Sequence, residues 1–426
     1  MRIKHKTIAD IIMLLIIDQV VVFRYFNVYE TVNKVIAVAI IILAFLSFVK
    51  NRRIEKKIHF SWSILFLIGL IVLNGYFYGV GGAYLSNILM LLYPFVFMLY
   101  ITWYINKYEQ CAFDTLVKWK YIINIYFIVN ILVLFVQIKG VEFMWGYTTT
   151  ENQSAVDKMS GLFGYSMTAT LCFFSVFVVA YNMVISRTIG SKTRRKVFIT
   201  YNVCLTLLMA YISTQNDNVM YFFFLPLTII ILLLSIYKLS TLSGILKFFI
   251  IILSFTIIGS LLLLIIPDLF SKLYDSIFFK FTGAIEHMYD GASVTHGSME
   301  RLALLVYGLQ HANGWHMGEG LSYSGIYTPN TYGFVHFGNA NIGAIVCLAG
   351  IWFFVILVYI YSSRTMTMMP ATMKNRWGIY VLIYLLWMLA AMFSLPFSDP
   401  SIGICLDFIM VVLALNQNIG EQINHG

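Results

Sequence analysis

Apolar stretches of about 20 residues, separated by short polar segments, recur along the whole chain. Because a helix needs about 20 apolar residues to cross a bilayer, each stretch predicts one membrane span. The predicted spans are residues 8–23, 31–49, 60–80, 85–105, 121–138, 161–185, 197–212, 219–237, 247–266, 338–361, 377–395 and 402–415. The pattern therefore predicts an all-α integral membrane protein of about twelve transmembrane helices, with residues 1–426 forming a single polytopic domain.

One long polar interval, residues 267–338, separates the ninth span from the tenth. Two pieces of it are amphipathic at helical spacing, 270–290 and the segment that follows Ser298, where a serine offers an N-cap. The first of these, 270–290, is expected to form a helix that lies along the membrane surface. Loops on a rigid scaffold commonly carry binding and catalytic groups, so functional residues are expected in this interval.

Composition strengthens the membrane interpretation and excludes other classes. Hydrophobic residues make up 60% of the chain and charged residues only 11%, whereas soluble domains carry about 25% charged residues. The net charge of +9 does not indicate nucleic-acid binding, because cytoplasmic loops of membrane proteins are enriched in Lys and Arg. The five cysteines show no CxxC spacing, so neither a disulfide framework nor a metal site is predicted.

The distribution of Lys and Arg predicts the orientation. With the N-terminus in the cytoplasm, the predicted cytoplasmic segments hold 21 of the 28 basic residues. This positive-inside bias places both termini in the cytoplasm and the loop 267–338 outside. Arg2, Lys4 and Lys6 precede the first span as in a signal peptide, but no small-residue cleavage site follows, so an uncleaved span is expected.

Two residues of the external loop are candidate catalytic groups. Arg301 is predicted to lie outside, so the enrichment of basic residues in cytoplasmic loops does not explain it. Its planar guanidinium suits a phosphate or pyrophosphate. The alternative is a surface arginine that pairs with Glu300 or with lipid. His336 lies where the chain re-enters the membrane. Because histidine titrates near neutral pH, it can accept a proton or act as a cation beside a phosphate. The alternative is an interfacial histidine bonded to backbone.

Four further residues near the re-entry are candidates for substrate binding. Asn339 and Asn341 offer amides to sugar hydroxyls or, alternatively, to the backbone. Gly318 and Gly320 permit tight turns and close approach of the backbone to a ligand. His311 and His316 have no zinc-ligand spacing, so no metal is predicted.

Clusters of polar residues also occur in two other external turns. The sequence STQNDN contains Gln215, Asn216 and Asp217, and Asp399 lies in SLPFSDPS. Each cluster either forms a tight turn between helices or lines the same external site. Asp18 and Asp407 fall inside predicted spans, where a carboxyl group usually faces a cavity or a partner.

The chain resembles the O-antigen polymerase family and the related O-antigen ligase family. The resemblance rests on the span pattern, on MERLALLVYGLQHANGWHMGEG late in the chain and on HFGNANIGAIVCLAG at the re-entry. The family's arginine in the turn occupied here by STQNDN is absent. The positions that match the family's motifs are Arg301, Gly318, Gly320, His336 and Gly343 or Gly350.

The resemblance implies a metal-independent glycosyltransferase of the bacterial inner membrane that needs no cofactor. It would transfer a glycan linked to polyprenyl pyrophosphate onto another lipid-linked repeat unit, as O-antigen and capsule polymerases do. Arg301 would stabilise the leaving pyrophosphate, and His336 would act on the acceptor hydroxyl. Implied partners are membrane lipid, a chain-length regulator and a flippase. Two alternatives stay open, an O-antigen ligase and a non-enzymatic flippase for lipid-linked oligosaccharides.

Overall fold

The protein is helical throughout the part of the chain that a computed structural model describes. That part comprises residues 2–23, 29–50, 62–144, 159–164, 167–216, 218, 220–236, 246, 253, 299–310, 312–323, 340–371, 373 and 375–425, and it contains no strand. The predicted ninth span and the amphipathic piece 270–290 lie outside it, apart from residue 253. An α-helical membrane protein is confirmed at this level.

The helices of the first half begin with α1 (Arg2–Asp18), which passes into a π-helical turn at Gln19–Phe23. The next ones are α2 (Tyr29–Lys50), α3 (Trp62–Tyr78), α4 (Gly82–Tyr108), α5 (Gln110–Lys118) and α6 (Lys120–Ile138). A short 3₁₀ turn at Gly161–Phe163 then precedes α7 (Thr168–Ile185).

The second half contains α8 (Lys192–Gln215), α9 (Met220–Ile236), α10 (Met299–Gln310), α11 (Asn341–Ala349), α12 (Ile351–Thr367), α13 (Arg376–Phe393) and α14 (Pro400–His425). Helix α10 confirms the predicted second amphipathic helix, and it begins directly after the predicted N-cap Ser298.

Six helices of the described part are long and apolar enough to cross a membrane, namely α4, α6, α7, α8, α13 and α14. Helices α3, α9 and α12 are apolar but shorter. Their exposed large side chains, such as Trp62 and Tyr76 on α3, are suited to face lipid. The protein is therefore membrane-embedded.

Helix α14 is the centre of the bundle. It packs against α7, α4 and α9, and its residues from Ser401 to Leu415 are buried without interruption. A helix that is apolar on all sides is expected in this central position. The end of the bundle at which α3 finishes and α4 starts is called the upper end, and it is the end predicted to be external.

The predicted tenth span, 338–361, is not one continuous helix. It breaks at Gly350, whose φ of +84° and ψ of 166° suit only glycine. A continuous helix would place Asn341 and Tyr361 about 30 Å apart. Both nevertheless contact Phe397, since its N–H donates to Asn341 Oδ1 at 2.7 Å and its ring lies 4.8 Å from that of Tyr361. Helix α12 therefore folds back along α11.

The glycine-rich segment 312–323 closes this break. The N–H groups of Glu319 and Gly320 donate to the carbonyls of Cys347 and Leu348, at 2.7 and 3.0 Å. The N–H of Ile351 donates to the carbonyl of Gly314 at 2.7 Å. These bonds satisfy backbone groups that the end of α11 and the start of α12 leave unpaired. Irregular backbone is tolerated inside a bundle when it is satisfied in this way.

Candidate functional site

Helices α10 and α11 lie side by side and run parallel. A Cβ atom on Gly343 would be 2.6 Å from Leu304 Cγ, and one on Gly308 would be 2.8 Å from Cys347 Sγ. From the first contact to the second, both chains advance by four residues, from 304 to 308 on α10 and from 343 to 347 on α11. The two helices are therefore parallel and in register. Small residues at the crossing allow the two backbones to approach closely. The starts of the two helices are consequently neighbours.

These two helix starts lie well below the upper end of the bundle. The N–H of Asn341 donates to the carbonyl of Ser394, beside the turn that leads into α14. On α14, a Cβ atom on Gly403 would be 3.3 Å from Pro94 Cβ. Pro94 lies about 18 Å along α4 from Gly82. The starts of α10, α11 and α14 therefore meet in the interior of the bundle.

The helix N-termini of α10 and α11 at this meeting point favour an anion. The N-terminus of a helix carries unpaired N–H groups and a partial positive charge, and parallel neighbours add their contributions. The candidate catalytic residue Arg301 belongs to the first turn of α10, while its side chain lies outside the described part of the structure. Helix N-termini of this kind are common sites for phosphate. The arrangement can hold a phosphate or pyrophosphate group.

Three of the predicted site residues, His336, Asn339 and Asp217, lie outside the described residues. Asn341 is described, and it is fully buried in a structural role. Its Nδ2 donates to Ser398 Oγ at 2.8 Å, while its Oδ1 accepts from Phe397. The amide therefore joins the start of α11 to the turn before α14. Its binding to a sugar stays a prediction.

Asp399 caps the first turn of α14. Its Oδ1 accepts a hydrogen bond from the N–H of Ser401 at 2.9 Å, and Pro400 follows at the first helical position, where proline is favoured. The carboxylate also has the sign that the helix N-terminus prefers. These contacts are a sufficient structural reason for an aspartate at this position. A contact between Asp399 and substrate stays a prediction.

Replacing Asp399 with alanine is expected to destabilise the protein by about 1 kcal/mol, because an N-cap side chain is lost. An asparagine at this position would retain an acceptor, so the stability of Asp399→Asn should lie within a few tenths of 1 kcal/mol of the original protein. Thermal unfolding of the detergent-purified variants measures both. An unchanged unfolding temperature for Asp399→Ala would contradict the capping role.

Gly318 and Gly320 serve the packing of segment 312–323. Both have positive φ, +68° and +98°, and a Cβ atom would lie 2.3 Å from the Cys347 carbonyl oxygen and 2.5 Å from Tyr78 Cγ, respectively. The hydroxyl of Tyr78 donates to the Gly318 carbonyl at 2.8 Å. The close approach that the sequence predicted is thus to the protein's own backbone and to Tyr78; their contact with substrate remains a prediction.

The polar turn between α8 and α9 faces the interior. The Nδ2 of Asn216 donates to the Met159 carbonyl at 2.9 Å, and that of Asn218 donates to the Thr168 carbonyl at 3.2 Å. Both side chains are buried, yet their Oδ1 atoms have no hydrogen-bond partner among the described residues. Gln215 is half-buried and donates to Thr214 Oγ1 at 3.2 Å. The turn therefore presents unpaired amide oxygens to the interior of the bundle, in addition to reversing the chain.

Sequence reasoning missed several buried polar residues on this side of the bundle. Gln19, Asn130 and Ser160 are at most 1% exposed and have side-chain atoms with no partner in the described part. The sequence did indicate Gln19 and Asn130, because an amide side chain inside an apolar span is costly and usually has a function. Ser160 lies in an irregular loop and carries no such signal.

The predicted intramembrane carboxyl groups have different surroundings. Asp18 Oδ1 accepts a hydrogen bond from the Tyr126 hydroxyl at 2.6 Å. Both oxygens of Asp407 are buried and unpaired within the described ranges, as are Tyr361 Oη and Trp387 Nε1. The rings of Tyr361 and Trp387 lie 4.8 Å apart. Asp407 thus stands in the interior of α14 without a protein partner in the part of the chain that is described.

A search of the described residues finds no group of three or more His, Cys, Asp or Glu side chains arranged to hold a metal ion. The groups at the candidate site are helix N-termini, Arg301, uncharged amides and the Asp399 carboxylate that caps the start of α14. Comparison of the chain with protein-family models, with curated proteins and with solved structures gives no match.

Proposed function

We propose that the protein is a polysaccharide polymerase that acts on glycans linked to polyprenyl pyrophosphate. The observation that carries the proposal is the parallel pair α10 and α11, whose N-termini meet inside the bundle with Arg301 in the first turn. A pyrophosphate is the anion best matched to two helix N-termini and a guanidinium. Its polyprenyl tail would occupy the apolar surroundings that a membrane protein offers.

The proposed reaction is a glycosyl transfer. The oxygen of an acceptor hydroxyl forms a bond to the anomeric carbon of the donor glycan. The bond between that carbon and the pyrophosphate oxygen breaks, and the lipid pyrophosphate keeps the electron pair. The acceptor proton passes to a base, for which His336 is the candidate. Arg301 and the helix N-termini stabilise the charge that grows on the leaving group.

The proposal includes a placement in the bacterial inner membrane. Twelve spans with both termini in the cytoplasm put the upper end of the bundle on the external side, where lipid-linked repeat units are presented. The donor is the lipid-linked glycan and the acceptor is the non-reducing end of another lipid-linked unit. A flippase that supplies the units and a regulator of chain length are the expected partners. An O-antigen ligase would use the same donor with a different acceptor.

One observation favours a second candidate, a transporter for lipid-linked oligosaccharides. Helices α11 and α12 are interrupted at Gly350, and half-helices whose N-termini point at an anionic substrate are typical of secondary transporters. The unpaired Asp407 in the interior of the described bundle also suits a transporter. The two candidates differ in what accumulates when the protein is lost.

Deleting the gene tests the proposal. A polymerase deletion should leave single repeat units on the surface lipid and abolish long chains, as seen by gel electrophoresis of the extracted glycan. A transporter deletion should instead leave no repeat units on the external face, while lipid-linked units accumulate inside. A ligase deletion should leave long chains on the polyprenyl carrier. Undiminished long chains on their normal acceptor would refute a role in glycan assembly.

A further inference from the structure

A second polar site lies next to the helix N-termini, and the described side chains that define it are amides and hydroxyls. Its centre is the segment Met159–Gly161. The Asn130 Oδ1 accepts from the N–H of Leu162 at 2.7 Å, and Asn216 donates to the Met159 carbonyl. The π-helical turn that contains Gln19 packs against the 3₁₀ turn 161–163. The amide cluster is defined as Gln19, Asn130, Ser160, Ser213, Asn216 and Asn218.

All six side chains of the amide cluster are buried, and each has at least one unpaired polar atom within the described residues. Native proteins leave few buried polar groups without partners, because each such group costs about 1 to 3 kcal/mol. Six on one side of a bundle call for a ligand or for several ordered waters.

The unpaired atoms define the chemistry of the ligand. Three of them are amide oxygens, on Gln19, Asn216 and Asn218, and these only accept hydrogen bonds. The amide nitrogens of Gln19 and Asn130 donate, and two serine hydroxyls do both. Amide oxygens repel a phosphate or carboxylate. A ligand with many hydroxyl groups, each both donor and acceptor, matches the whole set.

The amide cluster is adjacent to the proposed pyrophosphate site. The π-helical turn with Gln19 packs against α14, and Asn218 bonds to the start of α7, which also packs on α14. On its other side, the start of α14 is joined to α11 through the bond between Asn341 and Ser398.

Helices α7 and α14 run parallel. The rings of Phe177 and Phe408 lie 5.5 Å apart. Further along both chains, Arg187 Nη1 donates to the Asn416 carbonyl. The start of α14 therefore lies beside the start of α7 and connects the two sites.

We propose that the amide cluster binds the acceptor end of the glycan, and that the sugar it takes there is uncharged. This rests on the proposed function and adds to it the second substrate's position and chemical class. The donor pyrophosphate occupies the site at the starts of α10 and α11. The acceptor sugar occupies the amide cluster, with its attacking hydroxyl directed over the start of α14 toward the donor.

The test uses changes that remove only unpaired groups. Gln19→Met, Ser160→Ala and Ser213→Ala each delete polar atoms that have no partner in the described part, so packing is nearly preserved. The variants are expressed in the deletion strain, alone and combined. Each single change should lower the amount of long-chain glycan about tenfold, which corresponds to one lost hydrogen bond. The purified variants should unfold at the original temperature or above it.

Thr228→Val is the matched control. The Thr228 hydroxyl is also fully buried and unpaired among described residues, but it lies on α9 below the cluster. Its loss should leave chain length unchanged, and the unfolding temperature should stay the same or rise. If the triple variant makes long chains at the original level and the deletion strain makes none, the cluster holds only ordered water, and the inference fails while the proposed function stands. If the deletion strain itself makes normal chains, both fail.

The class of sugar has its own test. The residue at the non-reducing end of the repeat unit is identified by hydrolysis and mass spectrometry of the glycan from the host strain. A hexose, an N-acetylhexosamine or a deoxyhexose is expected. A uronic acid or a phosphorylated sugar at that end would overturn the assignment, because the amide oxygens of the cluster would repel it.

Discussion

Arg301→Ala is expected to abolish long-chain glycan while the protein remains in the membrane. Removing one group that stabilises the charge of a leaving pyrophosphate lowers a rate by about 100- to 1,000-fold. Arg301→Lys should keep part of the activity, because lysine retains the charge but not the planar fork. The measurement is glycan length on a gel, beside an immunoblot that shows equal amounts of protein.

Arg376→Ala is the matched control for Arg301→Ala. Arg376 is also in the first turn of its helix, α13, but it is exposed and lies at the opposite end of the bundle. Its replacement should leave chain length unchanged. Normal chains from Arg301→Ala would remove Arg301 from the site. The same assay on His336→Ala tests the proposed base, whose loss should resemble the loss of Arg301.

Gly350→Ala is expected to prevent stable folding. The φ of Gly350 is +84°, and a Cβ atom there would lie 1.9 Å from the carbonyl oxygen of His316. With ψ at 166°, the strained conformation alone costs about 1 to 3 kcal/mol for a residue other than glycine. The collision is with backbone, which cannot move without breaking the bonds of segment 312–323, so the total should exceed about 4 kcal/mol. The amount of protein in the membrane and its unfolding temperature measure the effect.

Gly164→Ala separates the two causes. Gly164 has a similar backbone conformation, with φ +83° and ψ −170°, but no atom lies within 4 Å of the position of its Cβ. Its replacement should therefore cost only the conformational part, about 1 to 3 kcal/mol. Equal destabilisation by Gly164→Ala and Gly350→Ala would show that the close packing of segment 312–323 against α11 and α12 contributes nothing.

Much of the helical layout was predictable from the sequence because it depends on local pattern. The apolar run 121–138 predicts α6, observed at Lys120–Ile138, and Ser298 with the amphipathic repeat predicts α10, observed at Met299–Gln310. Hydrophobic length and periodicity are properties of consecutive residues. The number of spans and their orientation stay predictions.

The break at Gly350 was not predictable in this way. Gly350 lies in an uninterrupted apolar run, and a glycine in such a run is tolerated by a continuous helix. Its conformation is imposed by the distant carbonyl of His316 and by segment 312–323. The parallel pairing of α10 and α11 likewise depends on Leu304 meeting Gly343, a contact between residues far apart in sequence.

The candidate site likewise has features that the sequence predicts and features that only the folded chain shows. Arg301 stood out in the sequence as a rare external arginine, and Asp399 and Asn341 as polar residues at the ends of spans. The sequence did not show that Asn341 and Asp399 already have structural partners, since Ser398 and Ser401 bind them only in the folded chain. It also did not show that Gln19 and Asn216, on separate helices, both border the turn 159–163.

The depth at which α10, α11 and α14 begin has a consequence for water. Helix α11 spans only about 13 Å, so its start lies about that far below the upper end of the bundle, and an anion there would have surroundings of low dielectric constant. Charge interactions there are about four times stronger than in bulk water. Water is also scarce at that depth, and water is the competing nucleophile in any glycosyl transfer. A buried reaction centre would thus favour chain extension over wasteful hydrolysis of the activated glycan.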